Sequence, residues 1–246
     1  MSLNNESDWL LIENKDNHVA KEMFRVCIIG PDEALITGGI DKFLCSNTTM
    51  HFKKGNFKKK QNMFQERRTH SCCKAGDFVF VCGGINSKGE PLMSCEKFSL
   101  EYEKWIKIAN MTIAKSHLSL CNVNNQYIFS IGGENRYESL LDVIERYNIN
   151  LDIWEVMTVK LPMKIECAAC LQMNNEILIM GGYTSEYGSL KKVYAYDINT
   201  NNIKQSANEL NQAGWSIYMP IRQGNIIHLF YGGEDEFPPH HMTYRY

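Results

Sequence analysis

Tyr127-Ile128-Phe129-Ser130-Ile131-Gly132-Gly133 is the stretch that decides the fold. It is a short apolar run rich in β-formers, reached through the polar pair Asn124-Asn125 and closed by two glycines. Such runs bounded by turn residues read as strands. Working outward, the same phrase recurs. Asp32-Glu33 precedes Ala34-Leu35-Ile36 and Gly38-Gly39; Gly76-Asp77 precedes Phe78 to Val81 and Gly83-Gly84. Asn174-Asn175 precedes Ile177 to Met180 and Gly181-Gly182; Gly224-Asn225 precedes Ile226 to Phe230 and Gly232-Gly233. Successive glycine pairs are 45, 49, 49 and 51 residues apart, so the 246 residues divide into five repeats. Self-similarity at a period of about 20–50 residues is the mark of a repeat architecture. The segments ahead of the turns (Cys72-Cys73, Leu118 to Val123, Cys167 to Met173) supply hairpin partners.

A second pattern follows each pair. Phe98, Tyr147 and Tyr196 come fourteen residues after the second glycine, and Trp105, Trp154 and Ile203 seven residues later. The shorter first repeat is read as keeping the seven-residue step with Met50 and Phe57. This arrangement resembles the kelch repeat family, whose motif is Gly-Gly, then Tyr, then Trp about seven residues on. The resemblance runs from about Trp9 to Tyr246. It implies an all-β fold, a kelch-type β-propeller with one four-stranded blade per repeat; the five glycine pairs then give five blades in one domain, where kelch propellers usually have six or seven. Gly-Gly would end each second strand, with the aromatic and Trp positions on the third and fourth strands. An isolated blade cannot bury both faces, so blades stack around an axis and cover one another.

The ends suggest how the ring shuts. The last repeat reaches its third-strand aromatic, read as Tyr246, with no fourth strand after it. Trp9 lies 29 residues before Gly38, close to the 27 that separate Trp105 and Trp154 from their following pairs. The expectation is that Trp9-Leu10-Leu11-Ile12 pairs with the C-terminal strand as a latch. An open array completed by another chain satisfies the same count, although residues 1–37 have no room for a sixth blade.

Composition sets the outer bounds. A hydrophobic share of 44% with 22% charged residues is globular, and a net charge of −2 argues against a general nucleic-acid binder. The N-terminal Met1 to Asp8 lacks the basic start and apolar core of a signal peptide. No apolar run approaches the roughly 20 residues of a membrane span. The nine cysteines are unevenly spaced, which fits reduced thiols and a cytoplasmic location.

Chemical motifs are weak. Cys167 and Cys170 have metal-site spacing but would point to opposite faces of a strand, and no second such pair exists. His240-His241 follows an acidic loop, where adjacent side chains on extended chain diverge. No metal, cofactor or catalytic residue is expected. The set of Tyr, His and crosslinked Cys used by kelch-type copper oxidases has no counterpart here. An enzyme working in the central channel would need converging ionisable groups; His70, His117 and Glu166 look scattered over first-strand lead-ins.

Binding is expected from loops. Lys53, Lys54, Lys58, Lys59 and Lys60 form a basic hairpin that suits an acidic surface or simply solvates an edge strand. The loops after Gly-Gly and the segments leading into the first strands should share one end of the propeller. They contain Arg67, Arg68, His70, Lys115, His117, Arg136, Tyr137, Tyr183, Tyr187 and Trp215. Tyr, Arg and Trp are the residue types enriched at binding hot spots. Arg67, Arg68, Arg136, Tyr137, Tyr183, Tyr187 and Trp215 are therefore the candidate partner contacts. The resemblance implies a non-catalytic interaction module or scaffold, with cytoskeletal or larger assemblies as partners. The ligase-adaptor role of many kelch proteins would need a BTB subunit on another chain.

Overall fold

A computed structural model describes residues 22–137, 139–215, 220–231 and 240–246. The chain is a five-bladed β-propeller of small antiparallel sheets. Blade 1 is Arg25–Gly30, Glu33–Thr37, Thr49–Lys53 and Asn56–Lys59. Blade 2 is Ser71–Ala75, Phe78–Cys82, Cys95–Ser99 and Lys104–Ile108. Blade 3 is Ser119–Val123, Tyr127–Ile131, Ile144–Asn148 and Ile153–Val156. Blade 4 is Ala169–Met173, Glu176–Met180, Val193–Asp197 and Asn202–Gln205. Blade 5 has three described strands, Ile221–Gln223, Ile226–Tyr231 and His240–Arg245. The first strands of blades 1 to 4 lie against one another in turn, which makes them the inner strands around the axis.

Strand alternation sends one set of side chains to each neighbouring blade. The second strand of blade 3 therefore shares a core with the facing strands of blade 4: Phe129 and Ile131 meet Ile177, Ile179, Tyr194 and Tyr196. Leu178 and Met180, on the opposite face of blade 4, meet Ile227, Leu229, Met242 and Tyr244 of blade 5. Third-strand aromatics are wedges in this stack. Tyr147 lies 6.1 Å from Phe80 and Tyr196 lies 5.6 Å from Phe129, each reaching into the preceding blade. The fourth-strand tryptophans finish the seam. Trp105 Nε1 donates to Thr49 Oγ1 and to the Gln61 carbonyl of blade 1's outgoing segment, and Trp154 Nε1 to the Ala109 carbonyl of blade 2's.

The glycine pairs have a steric cause. A Cβ on Gly132 would stand 2.1 Å from the carbonyl oxygen of Ile165, which leads into the next blade. Gly83 meets the Lys115 carbonyl at 2.5 Å in the same way. In both cases φ is positive, a conformation glycine adopts without penalty. The second glycine then donates its amide across the blade boundary, from Gly84 to Lys115 and from Gly133 to Ile165.

Two expectations about the repeat register change. In blade 1 Phe57 is opposite Phe52, not in step with Met50, and the rings are 5.1 Å apart. The third-to-fourth strand hairpin there turns through Lys54-Gly55, both with positive φ, and is two residues shorter than in blades 2 to 4. In blade 5 the buried wedge is Tyr244, opposite Ile227, as Tyr196 is opposite Ile177. Tyr246 is 41% exposed and donates its hydroxyl to Glu176. The latch expected from Trp9 to Ile12, and the pair Gly232-Gly233, lie outside the described residues. All nine cysteines are unpaired and buried, Cys167 and Cys170 among them. Among the described residues no helix is long and apolar enough to cross a membrane.

Candidate functional site

Antiparallel order puts the loops after Gly-Gly and the segments leading into the first strands at one end of the propeller. The first-to-second and third-to-fourth strand turns occupy the other end. The first end is tied together by main chain. Thr69 donates its amide to the Met23 carbonyl, His117 to Thr69 and Cys167 to His117, at 3.3, 3.0 and 2.9 Å. Met23, Thr69, His117 and Cys167 all have φ between 50° and 56°. Four equivalent residues of blades 1 to 4 thus form a hydrogen-bonded arc around the mouth of the channel.

The loop tips outside this arc expose aromatic residues. Phe43 is 90% exposed at the tip of a short ladder in blade 1, Tyr137 84% in blade 3 and Tyr187 62% in blade 4. Leu44 adds to the blade 1 tip, and Lys192 stacks over the Tyr187 ring at 5.7 Å. Tyr183 is 40% exposed, Arg136 is exposed, and Arg68 and Trp215 are half-buried. All six candidates other than Arg67 therefore present some surface. Phe43 was missed because the first repeat has no tyrosine or arginine in this loop. Its signal is position: it stands five residues after Gly38, as Tyr137 stands five after Gly132.

Arg67, His70 and Lys115 do not belong to this surface. Arg67 is sealed from water and donates to the Gly83 and Ser94 carbonyls and to Glu96 Oε1 at 2.9 Å. Lys115 is equally buried, 2.8 Å from Glu145 Oε2. Each pair pins a blade's lead-in to its own third strand. Glu96 also accepts the Phe64 and Gln65 amides, and Glu145 the amide and hydroxyl of Thr112. In blade 4 the corresponding residues are Ile165 and Tyr194, an apolar solution to the same joint. His70 Nε2 lies 2.9 Å from Thr37 Oγ1 in blade 1.

His117 and Glu166 are not scattered. The His117 Nδ1 atom is 3.2 Å from Glu134 Oε2 and 3.5 Å from Glu166 Oε2. Burial, with Arg25 and Arg68 nearby, holds the imidazole down to about 4, so it is neutral at pH 7. Burial and the neighbouring Glu134 carboxylate push Glu166 up to about 7. Arg25 of blade 1 acts electrostatically on His70, His117 and Cys167, residues of blades 2, 3 and 4. Neither Arg25 nor Glu134 carries a sequence signal of its own; ring geometry brings them together.

The basic hairpin sits at the opposite end. Lys54, Lys58 and Lys59 are exposed there, while Lys53 lies 3.4 Å from Glu33. Lys60 is covered and paired with Glu103 of blade 2, so it adds no free charge to the hairpin.

Comparison with known proteins agrees with this architecture. The Kelch motif matches residues 66–112 and 166–202, which are blade 2 and much of blade 4. Kelch-like protein 38 of Rattus norvegicus is 26% identical over 163 residues, covering 66% of this chain and 27% of the relative. Its Mus musculus counterpart is 25% identical over 172 residues, covering 70% and 28%. A Kelch repeat and BTB domain-containing protein of Caenorhabditis elegans is 28% identical over 109 residues, covering 42% and 18%. The chain thus spans little more than a quarter of the length of the first two relatives.

Proposed function

Because the chain is a kelch-repeat β-propeller, we propose that it is a non-catalytic protein-interaction module or assembly scaffold that grips a partner protein with its Gly-Gly loop end. The observation that carries this reading is the set of exposed aromatic tips, Phe43, Tyr137 and Tyr187, projecting from equivalent loops of three blades. Exposed aromatics held on a rigid frame bury large area at low entropic cost, which is why they dominate hot spots. Arg68, Arg136, Tyr183 and Trp215 complete the contact set. The lysines of the opposite end serve as solvating cover for the exposed outer strand of blade 1. A cytoplasmic setting, with cytoskeletal or assembly partners, fits this role. A ligase-adaptor version of this role would require a BTB part.

Affinity purification from the native source tests the proposal. A stoichiometric partner is expected with the unaltered chain and is lost with Phe43→Ala combined with Tyr187→Ala, while the melting temperature stays unchanged. Retention of the partner by that folded variant overturns the reading. One observation favours a second reading, a channel enzyme: His117, Glu134 and Glu166 converge at the mouth. Turnover abolished by Glu166→Gln, with partner capture intact, would select it.

A further inference from the structure

We propose that His117, Glu134 and Glu166 form a binding site for a divalent cation of the zinc class, bridging blades 3 and 4 at the mouth of the channel. One ligand atom from each side chain lies within 4.8 Å of the other two. Zinc ligands at about 2.0–2.1 Å in tetrahedral array stand about 3.3–3.4 Å from one another. The distances from His117 Nδ1 to the two carboxylate oxygens, 3.2 and 3.5 Å, bracket that edge. A mixed imidazole and carboxylate set suits zinc better than calcium or magnesium, which prefer all-oxygen shells.

Two further observations point to a ligand. Glu166 Oε2, one of the three converging atoms, is buried and accepts no hydrogen bond. A carboxylate oxygen in that state is costly unless a cation or a proton meets it. The backbone that carries the three side chains is also held in advance. Ser116 and Glu134 exchange main-chain hydrogen bonds at 2.9 and 2.8 Å, and Glu166 and Tyr183 do so at 3.1 and 2.9 Å. The His117 backbone is fixed on both sides by Thr69 and Cys167. Little backbone ordering remains for the metal to impose. Arg25 and Arg68 from the other blades act electrostatically on the imidazole, and Ser116 Oγ lies 3.3 Å from it. The two arginines oppose a cation there, so they bear on the affinity rather than on the geometry. Three protein ligands leave a fourth position for water or a partner's side chain. The inference does not depend on the loop tips binding a protein.

The test uses the full chain carrying His240→Ala and His241→Ala, which removes the adjacent histidine pair as a competing site. Zinc chloride is titrated calorimetrically, and cobalt(II) is followed by visible absorption. One equivalent is expected, with d–d bands typical of nitrogen and oxygen ligands and no thiolate charge-transfer band. Glu166→Gln and, separately, Glu134→Gln should each weaken binding at least tenfold with the unloaded melting temperature unchanged. Arg68→Ala should tighten it. Failure to bind at millimolar zinc, undiminished binding in both glutamine variants, or a thiolate band assigning the metal to cysteine each overturns the proposal.

Discussion

The amide of His117 donates to the carbonyl of Thr69 at 3.0 Å across the boundary between blades 2 and 3. That bond, repeated from Met23 to Cys167, brings the main chains of neighbouring blades together at the channel mouth. Beside this arc, the Gly-Gly pairs make the close approach to the next blade possible. Gly132→Ala should therefore be far more damaging than Gly224→Ala, although both glycines have φ near 60°. Gly224 has open space where a Cβ would go, so only the left-handed backbone costs, about 1–2 kcal/mol. At Gly132 the collision with the Ile165 carbonyl adds about 1–3 kcal/mol of overpacking. Thermal melting reads the difference at about 2–4 °C per kcal/mol for a chain of this size.

Arg67 and Glu96 should behave as a unit. Arg67→Met leaves Glu96 charged and buried and is expected to cost about 3–5 kcal/mol in urea denaturation. Adding Glu96→Tyr should restore part of this, because Ile165 and Tyr194 hold the same joint in blade 4 without charge. Restoration stays incomplete because the Phe64 and Gln65 amides lose their acceptor. A double variant no better than Arg67→Met alone would show that the charges are needed for the local geometry.

These two cases show what sequence could convey. The glycine pairs, Phe98, Tyr147, Trp105 and Trp154 were legible because every blade must solve the same packing problem at the same offset. Arg67 read as a loop residue because spacing places its backbone at the mouth but says nothing of its side chain. Its buried partner, Glu96, lies 29 residues further on. The shortened hairpin of blade 1 hid Phe52 behind Met50, since a change of turn length breaks any fixed count. The convergence of His117, Glu134 and Glu166 was illegible for a different reason. It exists only once blades 3 and 4 are set side by side.

Charge reversal at the basic hairpin separates the two ends of the propeller. Lys54→Glu, Lys58→Glu and Lys59→Glu together should leave partner capture within a factor of about two, since long-range effects are screened beyond about 10 Å at ordinary salt. The Phe43 and Tyr187 variant should abolish it. Capture lost in the lysine variant, with unchanged melting, would move the binding surface to the other end.

His70 gives a signed pH dependence. Burial, with Arg25 and Arg67 close by, holds its imidazole well below the ordinary 6.5. Below about pH 6.5 the unfolded chain takes up a proton that the folded chain refuses. Stability from this group is full above that pH and is lost as the pH falls towards the folded value, at up to about 1.4 kcal/mol per unit. His70→Gln, which retains hydrogen-bonding capacity towards Thr37, should flatten the acid limb between pH 6.5 and 5 by about one proton. Identical limbs in urea titrations of the two proteins would show that His70 is protonated in the folded chain.

The last prediction concerns the fourth strand that the sequence leads one to expect for blade 5. Trp154 donates to the Ala109 carbonyl of the preceding blade's outgoing segment while stacking on Tyr147 at 5.2 Å. One step before blade 5, the equivalent segment is Ala207-Asn208, and the aromatic equivalent to Tyr147 is Tyr244. These residues line a groove of about 400 Å³ with Leu178, Ala195 and Ser206. The offset from Gly38 makes Trp9 the sequence's candidate for that groove, so Trp9→Ala should cost about 3–5 kcal/mol, as large aromatic truncations in cores do. Ser206→Trp, which fills the groove from the other side, should destabilise the chain if Trp9 already occupies it and stabilise it otherwise. Unchanged melting of Trp9→Ala, together with a gain from Ser206→Trp, would leave that edge to another chain.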